Sequence, residues 1–450
     1  MNEQVNQLDD FFKSGSTHNY SFRVSQLEKL RLALQDHEED LMLALHQDLN
    51  KPSIEAYASE IGIIYSEISY IKKHLKSWMK PQKVKSPLAL FYSKSYIYSV
   101  PLGMVLIIAP WNYPVQLLLS PLIGAIAGGN CAVVKPSEYT PNVSKVLQKI
   151  INQAFNSNYV LLVEGDGAVI VPELIKQNNF DHVFFTGSTM VGRSIASLCA
   201  SKLIPYTLEL GGKSPAIIDS NINLSVACKR LAWTKFYNAG QTCVAPDYVL
   251  VDASIKDAFI TELKSTLKKF YPANNISRII NKNRFDKLVN YLDTANIIHG
   301  GEFDEELLYI APTLVDSPDM HDALMRDEVF GPILPILSYS SWDELCSIIG
   351  QNPNPLSLYV FSENDEFANK IINNIPFGGG GVNIALLHLV SENLPFGGVR
   401  QSGQGHYHGK FSFDTFTHKK AIVKMSTHFD AFFKYPPYTK FKSWLLRTVI

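Results

Sequence analysis

Nowhere does the chain hold an uninterrupted apolar run of about 20 residues, the length a membrane-crossing helix needs. The stretch 100–134 comes nearest. Pro101, Pro110, Pro114 and Pro121 break it, as do Gly124, Gly128 and Gly129. It reads instead as buried strand, turn and helix. The final FKSWLLRTVI is too short to cross a bilayer, so no stable membrane anchor is expected. The first residues, MNEQVNQLDDFFK, lack a basic region followed by an apolar one, and no signal peptide is expected. Cysteine is scarce. Cys131, Cys199, Cys228, Cys243 and Cys346 are odd in number and widely spaced, with no CxxC pair. That argues against a disulfide framework and a structural zinc site, and it favours a reducing, cytoplasmic location. Charge of one sign is also missing. Lys plus Arg number 41 against 42 for Asp plus Glu, so no electrostatic case exists for a nucleic-acid partner. The local run Lys72, Lys73, Lys76, Lys80, Lys83 and Lys85 reads as a solvated face at a helix end. No internal repeat or low-complexity tract is apparent.

What remains is an ordinary globular composition, 46% apolar and 18% charged over 450 residues. A chain of this length suggests two or three domains. Residues 1–80 carry apolar positions at helical spacing, as in SQLEKLRLALQDHEEDLMLAL. From Met104 short apolar strands alternate with helices: MVLII (104–108), CAVV (131–134), VLLV (160–163) and HVFF (182–185). Helices are expected over 115–127, from Thr140-Pro141 with Thr140 as N-cap, and from about Met190. Strand starts lie 27, 29 and 22 residues apart, the rhythm of βαβ units in a parallel sheet. A nucleotide site at the carboxyl ends of such strands is the default expectation. A second α/β segment, 211–396, holds SPAIID, YVLVD, PTLVD and SLYVF. Residues 81–103 alternate like an exposed hairpin, and KKAIVKM (419–425) is strand-like. The fold expected is α/β. A parallel-sheet dinucleotide-binding domain covers 1–80 and 104–210, and a second α/β catalytic domain covers 211–396. A small β oligomerisation arm comes from 81–103 and 397–430, followed by a tail, 431–450.

Four segments carry candidate chemistry. In FYNAGQTCVAP, Cys243 follows the flexible Gly240; such a cysteine is either a small buried hydrophobe or a nucleophile, and a nucleophile needs a lowered pKa and a backbone donor. In TLELGGKSP, Glu209 sits between leucines, where a raised pKa suits a general base; a structural ion pair is the alternative. In IIAPWNYP, Asn112 lies past a strand end, either as a turn residue or as an amide donor to an oxyanion. In FFTGSTMVG, Gly187 ends a strand, Ser188 can cap the next helix and Gly192 follows, a setting in which a helix N-terminus holds phosphate. His406 and His408 form an HxH, but no further metal ligands are marked, and no metal is expected.

Taken together and in this order, APWNYP, VVKPSE, FTGSTMVG, LELGGKSP, GQTC, EVFGPILP and PFGGV resemble the aldehyde dehydrogenase superfamily. GQTCVAPDYVL, LYVFS, HGKFSFDTF and KYPPY are similar to its class 3 branch. The resemblance implies NAD-dependent oxidation of aldehydes to carboxylic acids, with NADP also accepted, by a homodimer acting on medium or long aliphatic or aromatic aldehydes. It implies Cys243 as nucleophile, Glu209 as the base for the deacylating water, and Asn112 with the Cys243 N–H as oxyanion hole. Lys135 and Glu138 would contact the adenosine ribose, Gly187, Ser188 and Gly192 the pyrophosphate, and Glu328 and Phe330 the nicotinamide riboside. Trp233, Tyr113 and Phe236, near the catalytic segments, agree with an apolar substrate tunnel, although such residues are more often simple core. Two features depart from the branch, a shortened FYPANNISRIINKNRF and the Arg400-Gln401 pair, both expected to touch the substrate entrance or the subunit contact. Two other readings compete. An acylating enzyme that passes the acyl group to coenzyme A would not need Glu209. An inactive homologue would be expected to lose Cys243, Glu209 or Asn112.

Overall fold

The computed structural model describes residues 2–90, 92–272 and 276–449. Part of the shortened stretch, 273–275, therefore lies outside the described residues.

The strand Met104–Ile108 is buried along its whole length, as expected of a parallel strand covered on both faces. It sits inside a six-stranded sheet. Cys131–Lys135 and Val160–Leu162 lie on one side of it, and His182–Thr186 and Tyr206–Glu209 on the other. These five strands run parallel. The order reverses after Val160–Leu162, as in doubly wound sheets, so the carboxyl ends of Met104–Ile108 and His182–Thr186 frame a crevice.

The helix Gln116–Gly128 is apolar all round and wholly buried, the pattern of a helix enclosed by others. Helices Tyr20–Asp36 and Gly62–Trp78 pack on it from the N-terminal part of the chain. Gly124 and Gly128 let a third helix, Gly409–Thr415, come close: a Cβ on Gly128 would stand 2.5 Å from the Phe416 carbonyl.

The capping expected at Thr140 does not form. Its hydroxyl turns back to the Ser137 carbonyl at 3.4 Å. Asp48, from the helix Glu38–Leu49, accepts instead from Val143 N at 2.9 Å and Asn142 Nδ2 at 2.7 Å. A carboxylate with two donors outcompetes a hydroxyl for the helix end. Pro141 does open that helix.

A seven-stranded sheet forms the second unit, with Tyr248–Asp252 at its centre and Gly379–Val382 at one edge. The third unit is an antiparallel sheet of Gln82–Val84, Ser93–Pro101 and Thr417–Met425. The expected hairpin is thus joined by a third strand. The segment 397–430, expected in the arm, divides between two places. Gly403–Gln404 pairs with Tyr206–Glu209 in the first sheet, and Gly409–Thr415 packs on the first core. Only Thr417–Met425 lies in the arm. Glycine-rich sequence concealed these contacts, because it shows no periodicity to read.

Candidate active site

The helix Leu224–Phe236 runs into a tight turn, Tyr237–Gly240, that delivers Cys243. Asn238, Ala239 and Gly240 all take positive φ, at 52°, 53° and 72°. Gly240 is obligatory here, since a Cβ would stand 2.2 Å from the Gly331 carbonyl. Hydrogen bonds offset the strain of the other two. Asn238 N donates to Glu55 at 2.9 Å, and Asn238 Nδ2 donates to the Asn112 carbonyl at 3.0 Å. Gln241 donates through Nε2 to the Arg278 carbonyl at 3.0 Å and accepts from Ile280 N at 3.1 Å.

Asn112 belongs to the same network. Its Nδ2 donates to the Gln241 carbonyl at 3.0 Å, which leaves one amide proton uncommitted. Its backbone is held from below by Lys51, whose Nζ donates to the Asn112 carbonyl at 3.1 Å. Lys51 also pairs with Glu60 at 2.5 Å, and both side chains are fully buried. The other Glu60 oxygen accepts from Val115 N and Gln116 N, each at 3.0 Å. Lys51, Glu60, Asn238 and Gln241 were not singled out in the sequence. Asn238 and Gln241 stand inside the FYNAGQTC segment. Lys51 and Glu60 lie in a helical region where nothing local marks them.

Cys243 and Glu209 lie on the wall between two cavities, together with Leu117, Thr186 and Leu210. The first, about 990 Å³, is lined by apolar groups including Tyr113, Leu117, Trp233, Tyr237, Leu389 and Phe396. Trp233 and Tyr113 thus take the expected places. Phe236 does not: it is fully buried in the core beneath the seven-stranded sheet. One turn of helix separates a wall residue from a core residue here, and apolarity alone does not distinguish them.

Glu209 ends the strand Tyr206–Glu209, and neither of its carboxylate oxygens has a hydrogen-bond partner. Burial pushes its carboxyl well above the usual range. The thiol of Cys243 is pushed up to about 12, first by burial and then by the charges of Glu328 and Glu209. The lowered value expected of a nucleophile is absent because the thiol is buried, and the carboxyl groups of Glu328 and Glu209 add to that effect.

The second cavity, about 800 Å³, opens at the carboxyl ends of the first sheet. Trp111, Gly187, Ser188, Arg284, Glu328 and Phe330 line it. Ser188 caps the helix Thr189–Ala200, accepting from Val191 N at 3.4 Å. Gly192 is buried against Leu210 and is not among the residues on this wall; a Cβ there would meet the Leu210 side chain at 2.6 Å. Its spacing signals helix–strand packing, which uses glycine for the same steric reason as a phosphate loop. Gln401 accepts from the Thr189 hydroxyl at 3.3 Å, beside this helix start and not at the apolar cavity.

Glu328 is raised to about 8 by burial and by Asp247. Asp247 anchors the segment by accepting from Val329 N at 3.0 Å while pairing with the buried Lys213 at 2.6 Å. Gly211 leaves room for the Glu328 carboxylate, which a Cβ would strike at 2.2 Å. Phe330 meets Trp111 edge-on with ring centres 5.5 Å apart. At the neighbouring strand end, Lys135 pairs with Glu138, whose carboxylate also accepts from Gly167 N at 3.3 Å. Burial would raise the Glu138 carboxyl, but the Lys135 hydrogen bond and charge together with backbone N–H donors outweigh it and hold the group low. A helix N-terminus, a steric cradle at Gly211, a carboxylate and an aromatic ring fit a dinucleotide with its pyrophosphate, ribose and nicotinamide.

The HxH pair faces two environments. His406 is exposed beside Phe411, and His408 is buried against Phe396. Among the described residues no helix is long and apolar enough to cross a membrane.

Comparison with known proteins agrees with this geometry. The family model described as "Aldehyde dehydrogenase family" matches residues 2–422. The chain is 49% identical to 4,4'-diaponeurosporen-aldehyde dehydrogenase of Staphylococcus aureus, covering 96% of this chain and 95% of that protein. It is 41% identical to aldehyde dehydrogenase family 3 member A2 of Rattus norvegicus, covering 99% and 93%. A solved structure described as the substrate-bound state of Staphylococcus aureus AldH superposes with a TM-score of 0.97 at 47% identity, covering 100% of this chain and 99% of that one. The chain belongs to the aldehyde dehydrogenase family, in its class 3 branch, and oxidises aldehydes to carboxylic acids with a nicotinamide dinucleotide.

Proposed function

We propose that Cys243 is the nucleophile, Glu209 the base of deacylation and Asn112 the side-chain donor of the oxyanion hole. One observation carries this reading: the thiol and an unpartnered carboxyl share the wall between an apolar cavity and a cavity at a helix N-terminus. The aldehyde enters by the apolar side, which suits medium or long aliphatic and aromatic chains. Cys243 Sγ, once deprotonated, adds to the carbonyl carbon. The free Nδ2 proton of Asn112 and the Cys243 backbone N–H hold the oxyanion of the thiohemiacetal. A bound nicotinamide would supply the hydride acceptor; Gly187 and Ser188 would hold the pyrophosphate, and Glu328 and Phe330 the nicotinamide riboside. Lys135 and Glu138 would hold the adenosine ribose. The thioester left on Sγ is then hydrolysed by water that gives its proton to Glu209.

NAD is the preferred cofactor in this reading, because the Glu138 carboxylate can accept from a ribose 2′-hydroxyl and repels a 2′-phosphate. NADP remains usable because Lys135 offsets that charge. Five free cysteines, all without disulfide partners, favour a reducing, cytoplasmic location. Pairing of two copies through their exposed strand edges favours a homodimer.

The deciding assay follows NAD(P)H formation from aldehydes of graded length, with and without coenzyme A. Turnover independent of coenzyme A supports the reading. A strict requirement for coenzyme A would replace it with acyl transfer, and no turnover with any aldehyde would sink it.

A further inference from the structure

Beside the apolar tunnel lies a smaller chamber, with more polar groups on its wall, that the proposed reaction does not use. Its volume is about 680 Å³. It shares Ala58, Ile63, Gln116, Leu389, Val390 and His408 with the tunnel wall, so the two spaces adjoin. Ser66, Glu67 and Glu392 lie on its other walls. At the surface Ser66 donates to Glu392 at 2.8 Å, tying the helix Gly62–Trp78 to the segment that follows Leu387–Val390.

Glu67 is the distinctive group. It is 6% exposed and projects from the helix Gly62–Trp78. One carboxyl oxygen, Oε2, accepts from the Ser120 hydroxyl. The other, Oε1, has no partner. Buried polar atoms are matched almost everywhere in folded proteins, so an unmatched one on a chamber wall points to a missing ligand group.

The chemistry of that group follows from the wall. Burial raises the Glu67 carboxyl to about 8, so near neutral pH it is mostly protonated and can both donate and accept. Burial lowers the His408 imidazole to about 4, which keeps it neutral. Gln116 adds an amide. A carboxylate or phosphate would meet Glu392 at the chamber mouth. An ammonium would have to shed its hydration in the apolar tunnel. A hydroxyl, uncharged and able to donate and accept, suits all of these groups.

Resting on the reading of the tunnel as the aldehyde channel, we propose that this chamber is a hydroxyl-recognising subsite. Through Glu67 it selects aldehydes that carry a hydroxyl group several carbons from the aldehyde carbon.

The test compares ω-hydroxyalkanals with n-alkanals of equal length, in wild type, Glu67→Leu and Glu67→Gln. The wild-type ratio of kcat/KM, hydroxyalkanal over alkanal, should peak at one chain length. Glu67→Leu should lower that peak about five- to tenfold, the size of one lost hydrogen bond. Glu67→Gln, which keeps a donor and an acceptor, should retain it. In a binding-only readout, α,ω-diols of the matching length should raise the thermal midpoint of wild type more than monoalcohols do, and the leucine variant should lose the difference. A ratio that Glu67→Leu leaves unmoved overturns the subsite. So does an equal loss for both substrate classes, which marks Glu67 as a helix tie only. If wild type oxidises no aldehyde, the parent reading fails, and diol binding still judges the chamber by itself.

Discussion

At the scale of single residues, Cys243 and Glu209, the proposed nucleophile and base, both have a raised proton affinity. In the proposed reaction each works only after losing its proton. The acylation rate is therefore expected to be small in acid and to climb with pH through neutrality, because proton loss exposes the thiolate. Single-turnover NADH formation against pH measures this, and a flat profile would contradict it. Replacing Cys243 with Ala should abolish turnover while cofactor binding stays intact. Glu209→Gln should keep a burst of NADH and then turn over slowly, with the acyl group detectable on Cys243 by intact mass. Loss of the burst as well would place Glu209 earlier in the reaction. A third residue carries the proposed cofactor choice: Glu138→Gln removes a charge from the proposed ribose site and should raise kcat/KM for NADP relative to NAD, and an unmoved ratio would clear Glu138 of that role.

The sequence marked the groups proposed to do chemistry better than those that hold them. Cys243, Glu209 and Asn112 stand in segments whose glycines, prolines and strand ends are locally visible. Lys51 reaches Asn112 from 61 positions away, and no local pattern encodes such a distance. Gly192 shows the converse: its spacing suggested the pyrophosphate, and its side faces Leu210.

At the scale of elements, the turn carrying Asn112 is clamped by one buried ion pair. Lys51→Met leaves Glu60 buried with two backbone donors and no counter-charge. Breaking such a pair costs about 3–5 kcal/mol. The variant should show that loss in a denaturant midpoint, together with a reduced kcat, since the free Asn112 proton would no longer be aimed. Wild-type stability in the variant would mean that the pair contributes nothing net. Strands of the first sheet were readable because burial on both faces makes them continuous apolar runs, as in Met104–Ile108. The short strand Gly403–Gln404 was not, because two residues carry no periodicity and their pairing partner is some 195 positions earlier. Phe236 was misplaced for a related reason: a helix shows which residues are apolar, and its neighbours decide which space they fill.

At the scale of the molecule, Thr417–Met425 forms one edge of the arm's sheet and Gly379–Val382 one edge of the seven-stranded sheet. Unpaired edges of this kind invite association. Two copies related by a two-fold axis can cover them mutually. Light scattering at micromolar concentration should therefore give about twice the 50.4 kDa of one chain, and a monomeric mass would overturn the homodimer.

The close approach of Gly409–Thr415 to the apolar helix Gln116–Gly128 also dictates an order of events on the ribosome. The first sheet and its central helix are translated well before their last covering layer, which lies about 280 residues further along the chain. At about 5–20 residues per second, roughly 15–55 s separate the emergence of the helix from that of its cover. During that interval a nascent chain presents bare leucine and isoleucine side chains to the cell. Chaperone occupancy should therefore persist until that layer emerges, and a message cut before codon 409 should yield aggregate in place of a free-standing nucleotide-binding domain.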